Sequence, residues 1–185
     1  MAAVGFALNR FMNAVDRWLI LFAQLMLAVM VLITFVSVIG RTFLNTSVPD
    51  DLLIMELLMV VLVFLPLSWV QSLGAHLEVT VLTDFFPEAV QKALVSFGLF
   101  LGLVMFGGMA YVSWESAYES YAFGELAYNS VLNLRDWPAK MLIPIGLGWW
   151  CLRMVVQLIW PATRHEAETE YKSALKDTEY LNEER

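Results

Sequence analysis

Acidic and basic side chains frame and interrupt one long apolar stretch of this sequence. Arg41 precedes the stretch and Glu56 lies inside it. His76 and Glu78 follow directly after its end. A carboxylate within a membrane helix costs roughly 2.5–3.5 kcal/mol, so it needs a partner or a position that faces protein. Two roles stay open for Glu56: an acid that couples to an ion or a proton, or a helix-packing group paired with Arg41 or with a partner's polar group.

The other reactive side chains form no recognisable catalytic set. Cys151 is the only cysteine, which excludes an internal disulfide and a paired-cysteine redox centre. His76 and His165 lie outside the apolar runs, where they cannot ligate a haem between membrane helices. No glycine-rich nucleotide loop occurs. The sequence therefore predicts no enzyme, no cofactor and no metal site.

The composition is that of a membrane protein. Hydrophobic residues make up 59% of the 185 positions and charged residues 16%, against about 25% charged in soluble domains. The apolar residues are concentrated in long blocks. The net charge of −7 gives no argument for a nucleic-acid partner. We therefore predict an all-α integral membrane protein that has membrane lipids among its partners.

Four apolar segments are long enough to span a bilayer, which takes about 20 residues each. They cover residues 18–40, 52–73, 93–114 and 138–160, and they predict one four-helix bundle over residues 18–160. Pro66 lies inside the second segment, and we expect it to kink the helix without breaking it. Pro144 predicts a second kink in the fourth segment.

The flanking segments are amphipathic or charged. In residues 1–17, Leu8, Phe11 and Val15 recur at helical spacing, which predicts either a short helix on the membrane surface or a frayed tail. Residues 76–86, after the second span, predict a second amphipathic interfacial helix. Residues 161–185 form a charged tail, predicted to be a solvated helix or partly disordered.

The distribution of lysine and arginine predicts the orientation. Seven of the eleven lie in the terminal segments or in the loop between the second and third spans, and Arg153 near the end of the fourth span is counted with them as the eighth. Because cytoplasmic segments carry the excess of these residues, both termini are predicted to be cytoplasmic. Arg153, in the last third of the fourth span, is expected to extend its guanidinium to the inner interface.

Several further residues are candidates for packing or for an interface. Gly98 and Gly102 give the third span a strip of small residues for close helix approach, and the fourth span carries a similar pair at 146 and 148. Asp136 is predicted to cap the last helix, and Pro138 fits its first turn. Trp137 is expected at the outer membrane interface.

Residues 18–160 resemble the DctQ-type small membrane subunit of tripartite ATP-independent periplasmic (TRAP) transporters. The resemblance rests on four spans and three short runs: Val-Ile-Gly-Arg at 38–41, Gly-Ala-His-Leu-Glu-Val at 74–79, and Trp137-Pro138 leading into Ile-Pro-Ile-Gly at 143–146. It implies a protein of the bacterial inner membrane with two partners, a large multi-span transport subunit and a periplasmic substrate-binding protein. The resemblance further implies sodium-driven import of an organic anion, with the substrate and sodium sites in the large subunit.

The role implied for this chain is a scaffold that enlarges the fixed part of the transporter. The alternative is a stand-alone four-span secondary transporter or channel that uses Glu56. The sequence does not indicate which organic anion is carried.

Overall fold

The computed structural model describes residues 2–46, 48–73, 87–127 and 130–163. Most of these described residues are helical, and none lies in a strand. The helices are α1 (Ala2–Phe43), α2 (Asp51–Phe64), α3 (Leu67–Ser72), α4 (Glu88–Phe123) and α5 (Trp137–Ile159), followed by a 3₁₀ turn at Pro161–Thr163. The predicted interfacial helix, with His76 and Glu78, and most of the predicted tail, with His165, lie outside the described residues.

Four helical segments are long and apolar enough to cross a membrane. They are Gly5–Phe43, Asp51–Ser72, Val90–Phe123 and Trp137–Ile159. The predicted all-α fold with four membrane-spanning segments is therefore confirmed.

The first helix is much longer than the first predicted span. α1 runs without interruption from Ala2 to Phe43, so the segment predicted as a separate amphipathic N-terminus is continuous with the span. At 1.5 Å per residue its 42 residues measure about 63 Å, whereas the hydrocarbon core is about 30 Å thick. A large part of α1 must therefore lie outside the hydrocarbon.

The hydrogen-bonding pattern of the second span is interrupted at its proline. α2 ends at Phe64 and α3 begins at Leu67, but Leu65 and Pro66 keep right-handed helical backbone angles and Asp51–Ser72 forms one spanning segment. The span therefore continues across Pro66, as expected. Pro66 has no N–H to donate to the preceding turn, and its ring crowds the carbonyl of that turn. The Leu65 N–H still donates to Val61 O at 3.2 Å, and the chain resumes as a helix of six residues.

The third and fourth spans are single helices. α4 continues past Trp114, as predicted, and ends at Gly124, whose φ of +62° suits glycine. α5 has Pro138 in its first turn, as predicted, and Pro144 inside the helix. Asp136 occupies the N-cap position but makes no side-chain capping bond, because its backbone is already helical (φ −80°, ψ −26°). The prediction that Asp136 caps this helix is therefore wrong.

α5 is the central helix of the bundle and packs against α2, α3 and α4. Its buried side chains Leu147, Trp150 and Met154 form the hydrophobic core. Phe106 of α4 lies against Trp150, with ring centroids 4.1 Å apart. α4 packs chiefly against α5, and none of its most apolar stretch is buried. The bundle therefore presents a long apolar surface on α4.

Candidate functional site

Arg153 of α5 and Asp16 of α1 form a buried ion pair. The distance from Arg153 Nη2 to Asp16 Oδ2 is 2.7 Å, and each residue is 1% exposed. Arg153 therefore does not snorkel along the outside of the bundle as expected, because its guanidinium is buried against α1 just before the first uncharged span. Two opposite charges that are removed from water need close geometry and further hydrogen bonds to offset their desolvation.

Four neighbouring side chains supply those hydrogen bonds, one of them, Asn9, only through a long bond of 3.5 Å from Arg153 Nη1 to its Oδ1. Arg153 Nε donates to Ser68 Oγ at 2.8 Å, and Nη1 and Nη2 each donate to Asn13 Oδ1 at 3.0 Å. Asp16 also accepts hydrogen bonds from the Ser68 hydroxyl at 3.2 Å and from Trp149 Nε1 at 2.7 Å. We call these five residues, Asn13, Asp16, Ser68, Trp149 and Arg153, the Arg153 cluster.

The Arg153 cluster joins three helices at one end of the bundle. Asn13 and Asp16 lie on α1, Ser68 lies on α3, and α5 contributes the other two members. Because α3 has only six residues after the proline interruption, the bonds of Ser68 fix its position against α1 and α5. The two buried charges of the cluster pair with each other, which is typical of a structural contact that holds helices together.

A second polar contact extends the tie between α3 and α5. Gln71 Nε2 donates to Gln157 Oε1 at 3.0 Å, and Trp150 Nε1 donates to Gln71 Oε1 at 3.3 Å. Gln157 is 4% exposed. An amide pair buried within a bundle adds directional contacts to apolar packing.

At the opposite end, Asp50 holds the loop that precedes α5. Its carboxylate accepts hydrogen bonds from the Ser130 hydroxyl at 2.7 Å and from the backbone N–H groups of Val131 at 3.0 Å and Leu132 at 2.8 Å. These bonds, led by that from Leu132, lower the pKa of Asp50 from its ordinary value of 3.8. Ionised Asp50 therefore ties this loop to the start of α2.

Lys140 makes a second tie at that end, between α5 and the segment after α4. Lys140 Nζ lies 2.7 Å from Glu125 Oε2 and donates to Ser120 Oγ at 3.2 Å. The pKa of Glu125 is lowered, first by its hydrogen bond to Lys140 and then by that to Ser120. Trp137 contacts Tyr121 edge-on, with ring centroids 5.3 Å apart.

The structure separates Arg41 from Glu56. Arg41 Nη2 lies 3.7 Å from Asp51 Oδ2, and Asp51 also accepts a short hydrogen bond from Ser37. Glu56 is exposed on α2 and makes no ion pair or hydrogen bond with any described residue. Of the two partners predicted for Glu56, Arg41 is therefore not the partner within the described residues, and a polar group of a partner protein stays a prediction.

The predicted glycine strips contribute only in part to helix packing. A Cβ added at Gly102 would lie 3.5 Å from Met154 Sδ, whereas one at Gly98 would meet nothing within 4 Å. On α5, a Cβ at Gly146 would lie 2.6 Å from the carbonyl oxygen of Phe64, and one at Gly148 would meet nothing. Among these four glycines, the closest approach is therefore at Gly146, between α5 and the end of α2.

Sequence reasoning missed the Arg153 cluster, although a signal was present. Asp16 lies just before the first span and Arg153 near the end of the fourth. The predicted topology puts both positions at the same end of the bundle. The pairing of Asp16 with Arg153 could therefore have been predicted from the sequence and the predicted topology.

The arrangement defines a class of protein: a multi-pass helical membrane protein whose buried charges tie its helices together. The described residues include no group of three His, Cys, Asp or Glu residues that could hold a metal ion.

The family described as "Tripartite ATP-independent periplasmic transporters, DctQ component" matches residues 30–164, and the chain belongs to this family. It is therefore the small membrane subunit of a TRAP transporter, a transport component of the inner membrane. Searches of curated proteins and of solved structures found no match.

Proposed function

We propose that this subunit is a rigid scaffold for the large transport subunit during sodium-driven import of an organic anion that a periplasmic binding protein delivers. The family works with a large permease and a periplasmic binding protein. In this proposal the large subunit holds the substrate and the sodium ions.

The Arg153 cluster is the observation that carries the proposal. A transport site needs buried polar groups that can exchange their partners for a solute or an ion. The buried Asp16 and Arg153 instead bond one another and their neighbours across α1, α3 and α5. A bundle tied in this way would resist tilting while a neighbouring domain moves.

The surface of α4 supports a protein partner in addition to lipid. Phe97, Phe100, Val104 and Val112 are all more than half exposed. In the membrane this surface can contact lipid chains or apolar helices of a larger subunit. The bundle thus has a long exposed apolar face on α4 in addition to the polar contacts between its helices.

The positions of the two ends support the proposed orientation. Asp16 near the start and Arg153 near the end lie in contact, so both ends of the spanning region lie on one side. The excess of lysine and arginine in the terminal segments favours the cytoplasm for that side. We therefore propose that both termini are cytoplasmic.

Co-purification tests the scaffold role. We expect an affinity-tagged form of this chain, co-expressed with the large subunit of its own system, to retain that subunit through detergent extraction. A tagged unrelated four-span protein is the control. If the large subunit separates from this chain as readily as from the control, the scaffold proposal fails.

The alternative function, a stand-alone transporter that uses Glu56, has a specific observation in its favour. Glu56 lies in a spanning helix without a described partner. We expect Glu56→Gln to leave the ratio of sodium ions to substrate unchanged in reconstituted vesicles, with Glu119→Gln, an exposed acid beyond the apolar part of α4, as the control. A changed ratio in the Glu56 variant alone would support the alternative.

A further inference from the structure

We propose that the N-terminal part of α1 binds the phosphate of an anionic phospholipid. Arg10, Asn13, Ala14, Arg17 and Trp18 line an open recess of about 470 Å³. The proposal concerns a lipid site on this chain and does not depend on the scaffold role.

Within the described residues, the two arginines of the recess have no partner. Arg10 and Arg17 are exposed, and neither makes an ion pair or a hydrogen bond with a described residue. They lie seven residues apart on one face of α1, about 10.5 Å along the axis. Two guanidinium groups at this spacing can converge on one phosphate between them, and arginine suits bidentate contact with phosphate oxygens. Asp16, the nearest acid in sequence, directs its carboxylate to the Arg153 cluster.

Asn13 adds a positioned donor to the recess. Its Oδ1 accepts hydrogen bonds from both terminal nitrogens of Arg153, at 3.0 Å each. The amide orientation that these bonds require leaves Nδ2 to donate elsewhere, and it has no partner among the described residues. The buried pair of Asp16 and Arg153 therefore orients the Asn13 side chain, which lines the exposed recess.

The recess lies at the depth of the lipid headgroups. The 22 uncharged residues from Trp18 to Ile39 measure about 33 Å as a helix, which matches a hydrocarbon core of about 30 Å. Arg17 and Arg10 then fall at and just beyond one edge of that core. Trp18 is 73% exposed, as expected for an aromatic side chain at the membrane interface.

An apolar strip continues from the recess into the membrane, which favours a lipid over a free anion. Leu21, Leu25 and Leu32 are 58%, 57% and 64% exposed, and with the exposed Ala28 they follow Trp18 at steps of three or four residues. Residues at this spacing share one face of a helix. An acyl chain can lie along this strip while its phosphate occupies the recess. A free phosphate would gain nothing from the strip.

The test measures lipid binding to the purified full-length chain. Wild type, R10Q/R17Q and R135Q are titrated in detergent with short-chain phosphatidylglycerol, with phosphatidylcholine and with inorganic phosphate, and bound lipid is counted by native mass spectrometry. Arg135 is an exposed arginine at the other end of the bundle and serves as the matched control. Circular dichroism checks that each variant keeps its helices, and the single variants R10Q and R17Q replace the double variant if it does not fold.

We expect R10Q/R17Q to bind phosphatidylglycerol about 30-fold more weakly than wild type, because the variant loses the attraction of two basic residues for the anionic lipid. R135Q should bind like wild type, and L25S should weaken lipid binding without affecting the binding of inorganic phosphate.

Equal phosphatidylglycerol binding by wild type and R10Q/R17Q would overturn the proposal. Binding of inorganic phosphate as tight as that of the lipid would also overturn it, by indicating a soluble anion. If R10Q/R17Q instead loses only the co-expressed large subunit, the face is a protein interface and the lipid assignment is wrong.

Discussion

Asp16 and Arg153 are each the other's buried charge partner, so the loss of one of them is expected to destabilise the subunit. Removing one partner would leave the other as a buried, uncompensated charge. The contacts of Asn13 and Ser68 with the guanidinium would also be lost. A single substitution in the pair should therefore destabilise the bundle more than the loss of both charges.

We predict that Arg153→Met lowers the free energy of unfolding by about 3–5 kcal/mol. The double variant Asp16→Leu with Arg153→Met should lose less, because apolar groups of similar size can replace a buried pair at low cost. The measurement is unfolding of the detergent-solubilised chain, with Arg135→Met as the exposed control. A single variant as stable as this control would contradict the assigned role of the pair.

At the opposite end of the bundle, the contact between Asp50 and the loop before α5 is expected to depend on pH. Its pKa is lowered in the folded chain, so its bonds to the loop contribute stability above the ordinary pKa of 3.8. That contribution is lost as the pH falls through the lower pKa of the folded state. The docking of residues 130–132 on α2 should therefore weaken only in acid.

We predict that a nitroxide label at Val131, in a Cys151→Ala background, becomes more mobile as the pH falls below 3.8. Asp50→Asn is the matched control, since asparagine tolerates the positive φ of 55° at this position and does not titrate. Its label should show no such transition in electron paramagnetic resonance spectra. The same transition in both variants would assign the effect to another group, such as Glu125.

At the scale of the elements, close packing between α5 and the end of α2 determines which glycines matter. Gly146 lies against the backbone of Phe64, which cannot move as a flexible side chain can. Gly148, one half-turn further along the same helix, faces open space. The two positions therefore form a natural pair for substitution.

We predict that Gly146→Ala destabilises the bundle by about 1–3 kcal/mol, the usual cost of overpacking. Gly148→Ala should be neutral or stabilise by up to about 1 kcal/mol, because alanine favours a helix over glycine. Thermal unfolding of both variants in the same detergent measures the difference. Equal effects, or the reverse order, would contradict the close α2–α5 contact.

The elements themselves were largely predictable from the sequence, because hydropathy over about 20 residues is a strong signal. The points at which α2 ends and α3 begins around Pro66 were not, since neighbouring helices influence how the chain passes a proline. The Arg153 cluster was missed for a related reason. Periodicity shows which residues share a helix face, but it does not show which faces of different helices meet.

The whole molecule is a helical bundle with polar contacts between helices at both ends and apolar faces between them. The Arg153 cluster joins α1, α3 and α5 at one end, and Asp50 and Lys140 hold the loop before α5 at the other. Under the proposed scaffold role, such a molecule would stay in place while a neighbouring subunit moves. Within the described residues, the buried charges of Asp16 and Arg153 pair with each other.

The most direct test of the scaffold role is sodium-driven uptake in reconstituted vesicles. Three preparations are compared, each supplied with the binding protein loaded with its substrate: this chain alone, the large subunit alone, and the two together. The account predicts no uptake by this chain alone and full uptake only by the pair. Sodium-dependent uptake by this chain alone would contradict it.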